Sequence, residues 1–415
     1  VGTADDLISL FNKTAGNTLQ TDIEVTADLD FSASGLTLPL GAFSDGTFVP
    51  YSGVFQGNGY SIKGIDMNIL DHQGFRRAGL FCNLINATVE NLVIDSSCSF
   101  NGDYAGALSA RDEGSLVLKN VTNNAFVNGT SEIGGFIGYL NKIEQNSVIT
   151  FEDCVNNGKV TGIDGYVGGF VATIASNTNI TMSISNSTNN GIVIGETNST
   201  GGFFARIENN KNMTIIISDS ANNGNVSGSC NNVGGFIGGF GDNRRMTMRI
   251  SSCRNNGSVN GSLNSVGGFI GSVHNNTNTS IIVFDSINNG LVMTNWYNIG
   301  GFVGSISSVR VSHSISFDFI NCANNGTIIS LDDMACGMFC VDSQRQINVH
   351  TAISNSINKG NVSAGTYAYG ITNNITVARN VVSMGDVIGS SGSYTFWDAF
   401  TDVSLLYGLN GKCFN

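Results

Sequence analysis

The stretch Cys253-Arg254-Asn255-Asn256-Gly257-Ser258-Val259 decides how the chain is read, because its Asn-Asn-Gly core returns at a fixed distance. Glycines behind such a pair stand at 158, 191, 224, 257 and 290, a constant step of 33, and the pattern continues less regularly through Gly326, Gly360 and Gly385. Each repeat of a solenoid packs only against its neighbours, so a period of this size names that architecture before local propensity is weighed. Gly257 is expected to supply the backbone freedom that turns the chain toward Val259. The paired asparagines at 156–157, 189–190, 222–223, 255–256 and 288–289 are expected to bond amide to amide from coil to coil. Cys253 shares its column with Cys154, Cys322, Ser187, Ser220 and Ser286, which marks a small structural position rather than a reactive thiol.

A second marker runs in phase. Gly-Gly-Phe occurs at 134–136, 168–170, 201–203, 234–236, 267–269 and 300–302, with weaker versions at Cys336-Gly337-Met338-Phe339 and Tyr369-Gly370-Ile371. Each coil must place two tight or crowded backbone positions and then one large apolar group. Between markers the apolar residues alternate with a period of two, as in Met182 and Ile184 or Ile215 and Ile217, so the repeats are built from strands, not helices. A further short strand carries Val160, Val193, Val226, Val259, Val292, Ile328, Val362 and Val387. The fold class expected is all-β, a parallel β-helix with triangular coils of three strands, right-handed because parallel crossovers nearly always are. A propeller, the competing reading, needs four strands and about 40 to 45 residues per blade.

Open solenoid ends expose unpaired backbone groups, so atypical ends are expected. Residues 1–20 are assigned to a helical N-terminal cap containing Ala4 to Phe11, 21–130 to irregular coils, 131–390 to the regular repeat and 391–415 to a C-terminal cap.

With 415 residues, 41% of them hydrophobic, the chain can bury a large core. Only 12% of residues are charged, so its polarity comes from Asn, Ser and Thr. A net charge of -12 with 19 Lys and Arg speaks against nucleic acid or an anionic membrane as partner. No apolar run is long enough to predict a membrane span within this chain.

Candidate N-glycosylation sites stand at Asn12, Asn86, Asn120, Asn128, Asn179, Asn186, Asn198, Asn212, Asn225, Asn256, Asn260, Asn275, Asn278, Asn325, Asn361 and Asn374. Composition inflates that set, yet it is read as the mark of an extracellular or cell-surface chain of a eukaryotic microbe, with N-linked glycans as partners. Asn256 and Asn325 also belong to the Asn-Asn-Gly column, and an amide buried in a ladder cannot anchor a glycan. A sugar there requires the second asparagine of each pair to face solvent. Among the 9 cysteines no Cys-x-x-Cys pair or nearby histidine completes a zinc set. Cys336 and Cys340 are either a local disulfide or two small buried residues.

The stretches IEVTADLDFS at 23–32, YSGVFQGNGYSIKGI at 51–65 and AGLFCNLINATVENLVI at 78–94 resemble the opening of GLUG-type repeat proteins. Tyr51 replaces the family's first Phe, Gly53, Phe55, Gly57, Gly59 and Ile62 are kept, and Cys82 replaces the last glycine of its Gly-Leu-Phe-Gly element. The resemblance implies a right-handed β-helix exposed on a cell surface, often in adhesion or in large modular proteins, and identifies no ligand.

Asp153, Asp219 and Asp285 share a column with Asn186, Ser252 and Asn321 interleaved. At two coils apart, about 9.6 Å, they read as corner hydrogen-bonding groups, not as a glycosidase pair. Arg244, Arg245, His72, His274, His313 and His350 read as solvated surface residues, and Asp332-Asp333 as an ordinary acidic loop. No nucleophile or phosphate-binding motif appears. The expectation is no enzyme, no cofactor and no metal. Function is sought in the loops at 141–146, 176–179, 208–212 and 274–280. Two classes compete: a structural or adhesive surface scaffold that binds other surface proteins or copies of itself, built into a filament or coat, and a carbohydrate-binding or polysaccharide-processing module. Trp296 and Tyr297 read as a hydrophobic loop anchor, unless a groove presents them as a sugar platform.

Overall fold

Period-two alternation buries Met182 and Ile184 and turns Thr181, Ser183 and Ser185 outward. The strand Thr181–Ser185 stacks in parallel between Val148–Glu152 and Thr214–Ser218. In the computed structural model this stacking makes an all-β parallel solenoid. The structure describes residues 1–14, 17–43, 46–69, 76–143, 146–229, 231–308, 314–346, 349–396 and 406–408. One buried column runs through Ile23, Phe55, Val89, Leu118, Phe151, Ile184, Ile217, Ile250, Val283, Phe319 and Ile353. The valine column holds its expected register from Val160 to Val387.

The expected three strands per coil are in fact five short pieces. In one coil these are Val193–Gly195, Thr200–Gly201, Phe204–Glu208, Thr214–Ser218 and Ala221–Asn222. The first three belong to one ladder system and the last two to another. The ladder is interrupted wherever the chain turns sharply, at Gly-Gly and at the polar corners. Inside, Phe170, Phe203, Phe236, Phe269 and Phe302 stack with near-parallel ring planes at successive centroid distances of 4.4, 4.7, 4.8 and 4.7 Å. Such contacts contribute about 0.5–1.5 kcal/mol each beyond simple burial.

Both asparagines of the repeated pair form ladders, and the two ladders differ in burial and direction. Buried Asn123, Asn156, Asn189, Asn222, Asn255, Asn288 and Asn324 each donate Nδ2–H to Oδ1 of the next coil's asparagine, the last to Asn358, at 2.7–2.8 Å. The exposed Asn157, Asn190, Asn223, Asn256, Asn289 and Asn325 donate the opposite way, to the coil before, at 2.8–2.9 Å.

Gly257 is not a source of left-handed backbone, contrary to expectation. None of the glycines behind the Asn pairs has positive φ. A Cβ on Gly257 would instead lie 2.0 Å from Gly224 O of the preceding coil. The second glycine of Gly-Gly-Phe is crowded in a complementary way: a Cβ on Gly235 would lie 2.0 Å from Gly268 O and 2.6 Å from Asn255 Oδ1. The two sequence markers are therefore one packing unit, the inner ladder lying against the glycine column. Left-handed corners fall to Asp153, Asn186, Asp219, Ser252, Asp285, Asn321, Asn355 and Asn380, with φ of 48–55°. Short polar side chains tolerate that region best after glycine.

At one end, helix Ala4–Asn12 is capped by Thr3 and Asp6 and buries Ala4, Leu7 and Phe11. The Phe11 ring lies 6.1 and 6.0 Å from those of Tyr51 and Phe81. Toward the other end the coil shortens to 25 residues and Ser383 stacks where the next inner asparagine would stand. Strand Gly392–Phe396 pairs with Tyr367–Thr372, and Leu406–Gly408 with Val381–Ser383. The remainder of the segment expected to cap that end lies outside the described residues.

Candidate functional site

Two strand pieces flank each Gly-Gly-Phe, and the crowded glycines let them fold back on each other. The final glycine of Gly-Gly-Phe-x-Gly allows this, since a Cβ on Gly271 would lie 2.6 Å from Val233 N. Three side-chain columns consequently face one another. The first is Glu132, Tyr166, Ser199, Asn232, Ser265 and Asn298, two residues before each Gly-Gly. The second is Thr173, Arg206, Gly239, Ser272 and Ser305, and the third Ala175, Glu208, Gly241, His274 and Ser307.

Between them runs a groove parallel to the solenoid axis, with recesses of about 350 and 210 Å³ that share Asn232 and His274. Large side chains close its lower end. Arg206 lies 3.6 Å from the centroid of the Tyr166 ring, 2.7 Å from Glu208 Oε1 and 3.4 Å from Glu132 Oε1. Thr173 Oγ1–H donates to Glu132 Oε2. Burial pushes the Glu132 carboxyl up to about 7, opposed by Thr173 and Arg206. Arg206 Nε is buried without a hydrogen-bond partner. Further up, Gly241 leaves room that the His274 ring occupies: a Cβ on Gly241 would lie 2.1 Å from His274 Nε2. Burial lowers the His274 pKa despite Asp242, 3.7 Å away, and Nδ1 is 3.1 Å from Ser272 Oγ. The upper walls are Ser265, Asn264, Asn298, Ser305 and Ser307, and Asn264 Oδ1 is buried without a partner. Tyr297 closes that end with its ring 5.8 Å from Trp296, the two 41% and 48% exposed.

His274, expected on the solvated surface, is thus a half-buried groove residue at the end of strand Ile270–His274. Trp296 and Tyr297 are a surface pair, not an anchor in the core. Arg244, Arg245 and His350 are exposed, while His72 and His313 lie outside the described residues. Asp153, Asp219 and Asp285 are exposed corner residues. Asp333 Oδ1 accepts a bond from Thr366 at 2.7 Å. Cys336 and Cys340 form a disulfide. Cys154, Cys253 and Cys322 are buried in the serine column, where each backbone N–H donates to a serine Oγ of the next coil and burial pushes each thiol up to about 12. Cys230 and Cys413 lie outside the described residues.

The loops where function was sought are less free than expected. Asn177, Asn210 and Asn276 lie inside them and, with Asn243 at the same phase, form another buried column, in which each of Asn177, Asn210 and Asn243 donates its backbone N–H to Oδ1 of the next at 3.0 Å. Left-handed residues bracket the column, as at Ser176 and Asn179. Residues 144–145 of the first loop are outside the described residues. None of the sixteen sequon asparagines is buried. Asn86, Asn120, Asn179, Asn186, Asn212, Asn275 and Asn278 are left-handed corners, so part of the sequon pattern follows from corner chemistry followed by strand Ser or Thr. Asn198 and Asn275 stand on the groove walls.

No family model matches the chain. It is 26% identical over 204 residues to Halomucin of Haloquadratum walsbyi, which covers 42% of this chain and 2% of that protein. The chain therefore spans a small fraction of that relative, and the likeness lends no support to a eukaryotic source. A solved structure from Bacteroides ovatus, titled a "putative immunoglobulin A1 protease", aligns over 84% of this chain and 82% of its own at 14% identity with a TM-score of 0.41.

Proposed function

We propose that the chain is a rigid extracellular scaffold, a structural or adhesive part of a cell surface, with N-linked glycans on some of its sequons. The observation that carries this reading is the unbroken coil-to-coil register from Ile23 to Ile353, sealed inside and covered by neutral polar side chains. A body of this kind is stiff and presents its faces at fixed positions. The partial likeness to Halomucin and the resemblance to GLUG-type surface repeats support the same reading. No helix among the described residues is long and apolar enough to cross a membrane, so attachment in this proposal is made through other surface components, through a filament or coat of like chains, or through other parts of a longer protein. Immunogold labelling of intact source cells tests it. Label on the outer surface of unpermeabilised cells is the expected result, and label that appears only after permeabilisation overturns the proposal.

A further inference from the structure

We propose that the groove beside the Gly-Gly-Phe column binds an extended neutral glycan laid along the solenoid axis. This goes beyond the scaffold reading and stands or falls separately from it.

The upper recess of the groove is lined mainly by hydroxyls and carboxamides, the groups that pair with sugar hydroxyls. Stacked strands advance by about 4.8 Å, a spacing matched to successive residues of an extended glycan. Tyr297 supplies an exposed ring at the groove mouth, the amphipathic surface on which the C–H face of a pyranose stacks.

Charge selects against an acidic glycan. Arg206 is already flanked by Glu132 and Glu208, and its face is covered by Tyr166. Asp242 stands beside His274, and the chain as a whole is at -12. Among the described residues that line the groove no cation is left over to neutralise a polyanion, whose approach the overall field opposes.

The test is calorimetric titration of the full chain, produced without N-glycans, with cellohexaose, xylohexaose, mannohexaose and chitohexaose, and with heparin as the acidic comparison. At least one neutral hexaose is expected to bind and heparin is not. Tyr297→Ala and Asn232→Ala should each weaken that binding by about tenfold with the unfolding midpoint unchanged for Tyr297→Ala. The proposal is overturned if no neutral hexaose binds, if heparin binds more tightly, or if Tyr297→Ala binds as the parent does.

Discussion

Both polar side-chain atoms of Asn222 are engaged. Its Nδ2 donates to Asn255 Oδ1 and to Gly224 O, its Oδ1 accepts from Asn189, and its carbonyl accepts from Asn256 and Gly257. Replacing it by the near-isosteric leucine strands Asn255 Oδ1 and Gly224 O in the interior and leaves Asn189 Nδ2 only its bond to Gly191 O. At roughly 1–3 kcal/mol per stranded group, Asn222→Leu should lose about 2–6 kcal/mol in urea unfolding. Asn223→Ala breaks an equivalent pair of amide bonds in water and should lose less than about 1 kcal/mol. Equal losses would contradict the assignment of inner and outer ladders. The same geometry bears on Asn-Gly chemistry. Cyclisation of Asn223 needs the Gly224 nitrogen, whose N–H donates to Asn189 O at 3.0 Å. Deamidation at Asn223, followed by mass spectrometry, should be markedly slower in the folded chain than in urea. Two carboxyls set a pH dependence. Burial raises both Asp112 and Glu132 to about 7, above their unfolded values of 3.8 and 4.5. A raised carboxyl contributes stability that is full below its unfolded pKa and is lost as pH rises through the folded one. The unfolding midpoint should fall between pH 4.5 and 8, and Asp112→Asn should flatten that slope.

At the scale of the coil, Gly235 and Phe236 fill the position where the two markers meet. Gly235→Ala would drive a Cβ into Gly268 O and Asn255, and Phe236→Asp would place an unpaired charge in the ring stack. Each should cost several kcal/mol and unfold neighbouring coils, read as lost amide-exchange protection on both sides of the substitution. Most of this element is legible in the sequence because its residues repeat: the Val column, the Phe column, the paired Asn and the Cys/Ser column all keep their identity at one period. What periodicity missed was of two kinds. The Gly257 reading failed because composition alone does not distinguish a glycine needed for φ from one needed for close approach. The groove was missed because its columns repeat in place but not in type. Thr173, Arg206, Gly239, Ser272 and Ser305 each stand five residues after the first glycine of Gly-Gly-Phe, a phase that is readable only once the flanking strands are folded back. Glu132 and Arg206, 74 residues apart, meet only in three dimensions. Asn177, Asn210 and Asn276 carried a readable period within segments treated as variable loops.

For the whole molecule, the account holds that a coil is an exchangeable unit and that the inner ladder and ring stack are indifferent to which coil follows which. Removal of one coil in register brings Asn189 against Asn255 and Phe203 against Phe269, pairings chemically identical to those lost. A deletion two residues shorter leaves Gly235 and Phe236 as extra residues directly behind Phe203, inside the crowded ring column, whereas the longer coil from Asn288 to Asn324 keeps both of its asparagines in the ladder. The most direct measurement is therefore the unfolding transition and solution length of a chain lacking residues 204–236, one repeat of 33, beside a chain lacking 204–234. The 33-residue deletion should unfold cooperatively with a midpoint near the parent's and be shorter by about 4.8 Å in small-angle scattering, while the shorter deletion should unfold at a clearly lower midpoint. Failure of both deletions, or equal tolerance of both, would contradict the register on which the solenoid, its ladders and its groove depend.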